Sequence, residues 1–399
     1  MNQSTNTGGL DKFRLAGALL VVAIHTSTLT CISAEADFFL TRILARVAVP
    51  FFLMVTGQFV LPRILEPGVR AGRRLLRYLA RAGMLYLACI LLYLPLGIYA
   101  GHYKELTAAK VLRMLVWDGT FYHLWYFPAG MLGMTLLYLL SRRLGLRTLT
   151  LVCGALYLLG LSGDSYYGLT QYLPPLRSLC DLGFHVWSYT RNGLFLAPLF
   201  LLMGALMGGL QRKNPCANKN TVPGQIPQNP FSALSSRASA GEAAPAAKSA
   251  SALTGAPAAK STSALTGAPA AESTSALAAG LVLSLLGMSG EAFLLRYLES
   301  LRHDSMYLLL VPVMYCLYGL LLCSNCPPCP RLRRISTLIY ILHPAVIVAV
   351  RIFARLPHML PLMEQSLLHY AAVCLLSLAA AWLLTGLRDI KIKRSDHDR

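Results

Sequence analysis

Long apolar runs alternate with short basic segments along most of the chain. Ten runs read as membrane helices: 13–32, 42–61, 82–100, 123–140, 148–162, 193–210, 277–291, 306–323, 335–353 and 367–387. A span needs about 20 apolar residues to cross roughly 30 Å of hydrocarbon, so the fifth and seventh runs are the shortest fits. The pattern predicts an all-α fold, a polytopic membrane helix bundle of about ten transmembrane helices. The opening also resembles a secretory signal, with Lys12 and Arg14 ahead of the run and a cleavage site at Ile32, Ser33 and Ala34. Because that run reaches spanning length and others follow, it is read as the first span.

Charge sets the orientation. With the N-terminus inside, the inner segments hold 25 of the 36 Lys and Arg residues and the outer ones 11. That bias predicts both termini in the cytoplasm. The expected organisation is a six-span half over 9–210, a linker over 211–276, a four-span half over 277–387 and a cytoplasmic tail over 388–399. Residues 211–276 are rich in Ala, Ser, Pro and Thr, and Ser251–Thr262 repeats as Ser263–Thr274 with Glu272 in place of Lys260. Such a segment buries too little apolar surface to offset its ordering entropy, which predicts a flexible linker.

Composition agrees with the membrane class: 55% of residues are hydrophobic and 13% charged, where soluble proteins carry about a quarter charged. A multi-pass cell-membrane protein is expected, with the lipid bilayer as its constant partner. The net charge of +19 does not imply a nucleic-acid partner, because the basic residues sit between apolar runs and not on one soluble face. No Walker loop, nucleotide fingerprint or nucleophile elbow is present. Cys323, Cys326 and Cys329 lack a fourth cysteine at suitable spacing, so no metal is expected.

Within the first run, Arg14 and His25 are eleven residues apart. Eleven residues make about three helical turns, which puts both side chains on one face and roughly 16 Å apart along the axis. Arg14 then sits at a membrane surface and His25 near mid-bilayer, where an ionisable residue marks a functional site by default. With an ordinary pKa near 6.5, a neutral His25 is suited to act as a general base or as a brief covalent acyl carrier. Arg14 suits a donor phosphate or a developing oxyanion. The plainer alternative is that Arg14 marks the cytoplasmic end and His25 bonds a neighbouring helix.

Arg42 and Arg46 share a face near the outer end of the second run, with Arg46 about one turn deeper. Arg70, Arg73, Arg74, Arg77 and Arg81 fall within about a 100° arc of a helix. They fit either an anchor on anionic lipid or a patch for donor phosphates. His123 and Trp125 lie where an aromatic belt is expected. His343 precedes Pro344, which should kink its helix and free carbonyls.

These segments together resemble the integral-membrane acyltransferase-3 family. The resemblance is carried by Gly9-Leu10-Asp11-Lys12-Phe13-Arg14 followed by His25, and by Arg46-Val47-Ala48-Val49-Pro50-Phe51-Phe52 through Gly57. His123-Leu124-Trp125 and Ile339-Tyr340-Ile341-Leu342-His343-Pro344 complete it. The opening through Phe59 is further similar to the membrane half of vancomycin-resistance serine racemases. Their soluble pyridoxal-phosphate domain has no counterpart before Arg399, so no racemase activity is expected.

The resemblance implies transfer of an acyl group, most simply acetyl, from acyl-CoA to a hydroxyl or amine of a sugar, cell-wall or lipid-linked acceptor. It implies no bound cofactor. His25 and Arg14 become the catalytic candidates. Arg46, His123, Trp125, Tyr340, His343, Arg73, Arg74 and Arg77 become candidates for substrate or donor binding. The rival expectation is an L-serine or amino-acid carrier that supplies a separate racemase.

Overall fold

A computed structural model describes residues 7–66, 68, 70–213, 274–356 and 359–397. Every regular element among them is helical. The principal helices are α1 (Gly8–Thr26), α2 (Ala48–Leu65), α3 (Arg70–Tyr99), α4 (Tyr126–Ser141) and α5 (Leu146–Ser162). After these come α6 (Ala197–Lys213), α7 (Thr274–Tyr297), α8 (Leu310–Cys323), α9 (Pro330–Phe353) and α10 (Ser366–His397). Each overlaps one predicted run. Apart from 211–213 and 274–276, the expected linker lies outside the described residues.

Five helical segments among the described residues are long and apolar enough to cross a membrane: Ala34–Leu65, Arg70–Tyr99, Thr274–Tyr297, Pro330–Phe353 and Ser366–Asp389. Tyr126–Ser141, Leu146–Ser162, Ala197–Gly209 and Leu310–Cys323 are apolar but shorter. These shorter helices supply much of the main core, including Met134, Leu137, Cys153, Phe200, Leu201 and Met314. Neighbouring protein can satisfy the chain at their ends, so they need not match the hydrocarbon thickness alone. α1 is apolar after its first turns, which carry Asp11, Lys12 and Arg14.

Boundaries depart from the hydropathy reading at several helix ends, among them the end of α1 and the end of α10. α1 stops at Thr26 and not at residue 32: Ser27 adopts a left-handed backbone with φ of 48°. The Thr26 hydroxyl donates to the Val22 carbonyl at 3.0 Å, and the Leu29 amide donates to Asp37 at 2.9 Å. Side-chain bonding of this kind offers the backbone an alternative to further helix. At the other end, α10 continues helically to His397, through most of the segment expected as a tail.

Among the described helices, α2 and α6 share the most extensive contact. A Cβ added at Gly57 would strike the Leu201 carbonyl, and one at Gly204 the Met54 carbonyl. The two glycines therefore allow the backbones to touch, the usual device of membrane helix packing. α1 lies against α9, with Ala18 and Val22 meeting Ile335 and Ile339 in a second cluster that extends to Val373 and Ala381 of α10. A third cluster joins Tyr86, Cys89 and Tyr93 of α3 to Phe121, Leu124 and Phe127, and Tyr340 of α9 packs on it. Together these contacts bring α1, the segment before α4, and α9 to a common point.

Candidate active site

Three histidines from three parts of the chain converge there. His25 near the end of α1 stacks on His343 of α9, ring centroids 5.4 Å apart and planes inclined by 20°. His343 meets His123 edge-on at 5.4 Å, and Tyr122 lies 4.6 Å from His25. Tyr340, one turn before His343, donates its hydroxyl to the His123 carbonyl at 2.5 Å. Tyr93 packs on the His123 ring at 4.8 Å and bonds the Ile341 carbonyl. His123 and His343 are buried, whereas His25 is partly accessible.

Pro344 explains the state of His343. Lacking an N–H, Pro344 cannot donate to the Tyr340 carbonyl four residues back, which frees that oxygen within the helix. The His343 Nδ1 lies 2.9 Å from it and 3.2 Å from the Ile339 carbonyl. Carbonyl oxygens only accept, so Nδ1 carries the hydrogen and, in the neutral ring, Nε2 carries the lone pair. That Nε2 and both ring nitrogens of His123 are buried without a hydrogen-bond partner among the described residues. Each such group costs about 1–3 kcal/mol if left unmade, the kind of cost a bound polar molecule relieves.

At the other end of α1, Asp11 is fully buried. It receives Arg14 at 2.8 Å, Arg333 Nε at 2.7 Å and the Cys329 amide at 2.9 Å. Arg333 also donates to the Thr7 hydroxyl at 2.9 Å, and Lys12 Nζ lies 3.2 Å from Cys326 Sγ. The loop bearing the three cysteines is thus tied to the start of α1. No group of three or more metal-ligating side chains occurs among the described residues.

A second charged cluster lies past the His25 end. The helical run Ala34–Leu65 contains a widened turn, Phe39–Ile43, and a tight one, Leu44–Val47, before α2. Arg42 and Arg46 both pair with Asp304 from the α7–α8 loop, Arg42 at 3.3 Å. Arg42 is partly exposed and Arg46 buried. Burial pushes the Asp304 carboxyl up, but Arg46, Arg42 and Arg191 outweigh it and hold it below the usual carboxylate range. Asp164 fixes the same loop by accepting the Ser305 and Met306 amides at 2.7 and 2.9 Å. Glu291 accepts the Leu308 and Leu309 amides at the start of α8.

Trp125 and Arg46 line a narrow cleft together with Ile24, Arg191 and Ser305. Arg73, Arg74 and Arg77 do not join this region. Arg73 and Arg77 are exposed at the start of α3, while Arg74 bonds Glu66 and, at 2.7 Å, the Arg63 carbonyl. From Arg77 to Tyr93, the residue against His123, is roughly 24 Å along the helix. Sequence reasoning missed Asp11, Arg191, Asp304, Ser305 and Asp164. Only Asp11 left a signal, its spacing of three residues from Arg14 on one helix.

The family model described as an acyltransferase domain matches residues 7–386. An amino-acid racemase of Enterococcus faecalis is 31% identical over 403 residues, covering all of this chain and 48% of the relative. A second from the same organism is 33% identical, covering 95% of this chain and 46% of the relative. A serine/alanine racemase of Enterococcus gallinarum is 28% identical over 93% of this chain and 45% of its own length. The chain spans about half the length of these curated relatives, and no solved structure matches it. With a match running almost from end to end over helices that carry the clustered histidines, the chain belongs to the acyltransferase-3 family of membrane proteins.

Proposed function

We propose that this protein moves an acyl group, acetyl in the simplest case, from acyl-CoA to a hydroxyl or amine of a sugar, cell-wall or lipid-linked acceptor. It acts as a ten-span protein of the cell membrane with both termini in the cytoplasm. The observation that carries this reading is the meeting of His25, His123 and His343 with the His343 proton fixed by Pro344. Buried nitrogens with free hydrogen-bonding capacity, beside one partly accessible imidazole, suit proton transfer at an acyl group.

In this scheme the acceptor O–H or N–H attacks the thioester carbonyl carbon while His25 takes its proton. The tetrahedral oxyanion collapses, the C–S bond breaks and the CoA sulfur leaves with the proton returned by the imidazolium. The products are an acyl ester or amide and free CoA. His343 orients His25 across their stacked faces, and Tyr340 holds the His123 backbone. Arg46, His123 and Trp125 contact substrate. Arg14, about 16 Å along α1 from His25, steadies the donor from the cytoplasmic side. Arg73, Arg74 and Arg77 attract its phosphates through their positive face.

The test is transfer of label from acetyl-CoA, radiolabelled in its acetyl group, to envelope material in membranes with and without the protein. Label that depends on the protein supports the reading and identifies the acceptor. Relatives named as racemases favour a second reading, carriage of L-serine or another amino acid to a separate racemase. That reading predicts uptake of labelled L-serine without acyl-CoA and without covalent change.

A further inference from the structure

The cleft beside His25 carries more cationic hydrogen-bonding capacity than its surroundings use. Arg42 and Arg46 pair directly with one carboxylate, Asp304, and Arg191 lies within its electrostatic reach. Arg191 donates to the Ser305 hydroxyl at 2.8 Å and stacks its guanidinium over Tyr189 at 4.2 Å and Trp125 at 5.3 Å. The second carboxylate within electrostatic reach, Asp164, spends Oδ1 on backbone amides. Even counting Asp164, the cluster keeps one positive charge in excess. The Nε atoms of Arg46 and Arg191 are buried and have no partner among the described residues.

Both arginines line the same cleft, together with Ser305 and with Ile24, the residue before His25 in α1. His25 itself lies within electrostatic reach of Arg191 and Arg46. Two unpartnered guanidinium N–H groups and a hydroxyl, in a cleft also lined by Trp125, match an anion that presents several acceptor oxygens. A neutral sugar hydroxyl would leave the excess charge uncompensated.

We infer that this cleft is an anion-binding subsite, in which Arg191, Arg46 and Ser305 hold a phosphate or carboxylate of the acceptor and so present its nucleophile to His25. The inference rests on the acyltransferase reading for the word acceptor, but the binding site itself does not depend on it. Asp304 and Asp164 are positioning residues: the first holds Arg46, and the second holds the loop that carries Ser305.

The test uses the full chain purified in detergent. It is titrated with sodium phosphate and separately with sodium acetate at constant ionic strength, and intrinsic tryptophan fluorescence is followed. At least one anion should give a saturable change that Trp125→Phe abolishes. Arg191→Gln should weaken binding roughly tenfold or more, with Arg191→Lys between it and the wild type, as loss of a charge-assisted bond requires. Ser305→Ala, which keeps every charge, should weaken it by a few fold.

Saturation by phosphate points to a phosphate-bearing, lipid-linked acceptor, and saturation by acetate to a carboxylate such as a sugar acid. The inference is overturned if neither anion binds the wild type, or if Arg191→Gln and Ser305→Ala bind as the wild type does. Anion binding without acyl transfer would keep the subsite and retire the acyltransferase reading. Acyl transfer without anion binding would retire the subsite alone.

Discussion

The two ends of α1 carry similar charges but treat them differently. At the Asp11 end, one buried carboxylate takes Arg14, Arg333 and the Cys329 amide, and neither arginine is left with a buried unpartnered nitrogen. At the His25 end, three arginines crowd Asp304, and the Nε atoms of Arg46 and Arg191 remain unmatched. Buried polar groups are normally satisfied, so leftover capacity that gathers around a cleft is a candidate place for another molecule. The filled end holds the bundle together; the unfilled end is where chemistry is expected.

The sharpest way to break this comparison is to change one residue at each end. His25→Ala should lower acyl transfer by about 10²–10⁴-fold, the usual contribution of a positioned general base, with its melting temperature near that of the wild type. Asp11→Asn should act first on stability, with a smaller effect on transfer through the donor contact of Arg14. It leaves Arg14 and Arg333 without their carboxylate, at a cost on the order of 3 kcal/mol, read as a lower melting temperature in detergent. A loss of transfer per folded molecule as large as that of His25→Ala would erase the contrast.

A smaller effect separates the ends by pH. Burial, with help from Arg191 and Arg302, holds the His303 pKa down to about 4. The unfolded chain binds a proton at this position below about pH 6.5 that the folded chain takes up only near pH 4. Stability from this group is therefore complete above pH 6.5 and is lost as the pH falls toward 4. His303→Asn should flatten that part of the melting profile. The mildest change is Arg73→Gln with Arg77→Gln, both exposed. It should raise the KM for acetyl-CoA a few fold and leave kcat alone, an effect of about 1 kcal/mol or less.

Much of the fold was legible because apolar runs and basic breaks mark membrane helices directly. The end of α1 was not, because Thr26, Thr28 and Ser33 spend their hydroxyls on local bonds that hydropathy does not register. The site was legible in part. Spacing puts Arg14 and His25 on one face, and Pro344 announces a freed carbonyl. That His343 fills this vacancy, and that its ring then stacks on His25, depends on α1 lying against α9, a neighbour relation that linear spacing does not encode. Arg191 and Asp304 stand alone in loops with no periodic partner, so only the folded chain joins them.

In the proposed reaction His25 is the group that handles the transferred proton. Its most direct test compares label transfer from acetyl-CoA in membranes holding matched amounts of wild type and His25→Ala. Transfer by the wild type and only background label in the variant are expected. Equal transfer by both would contradict it.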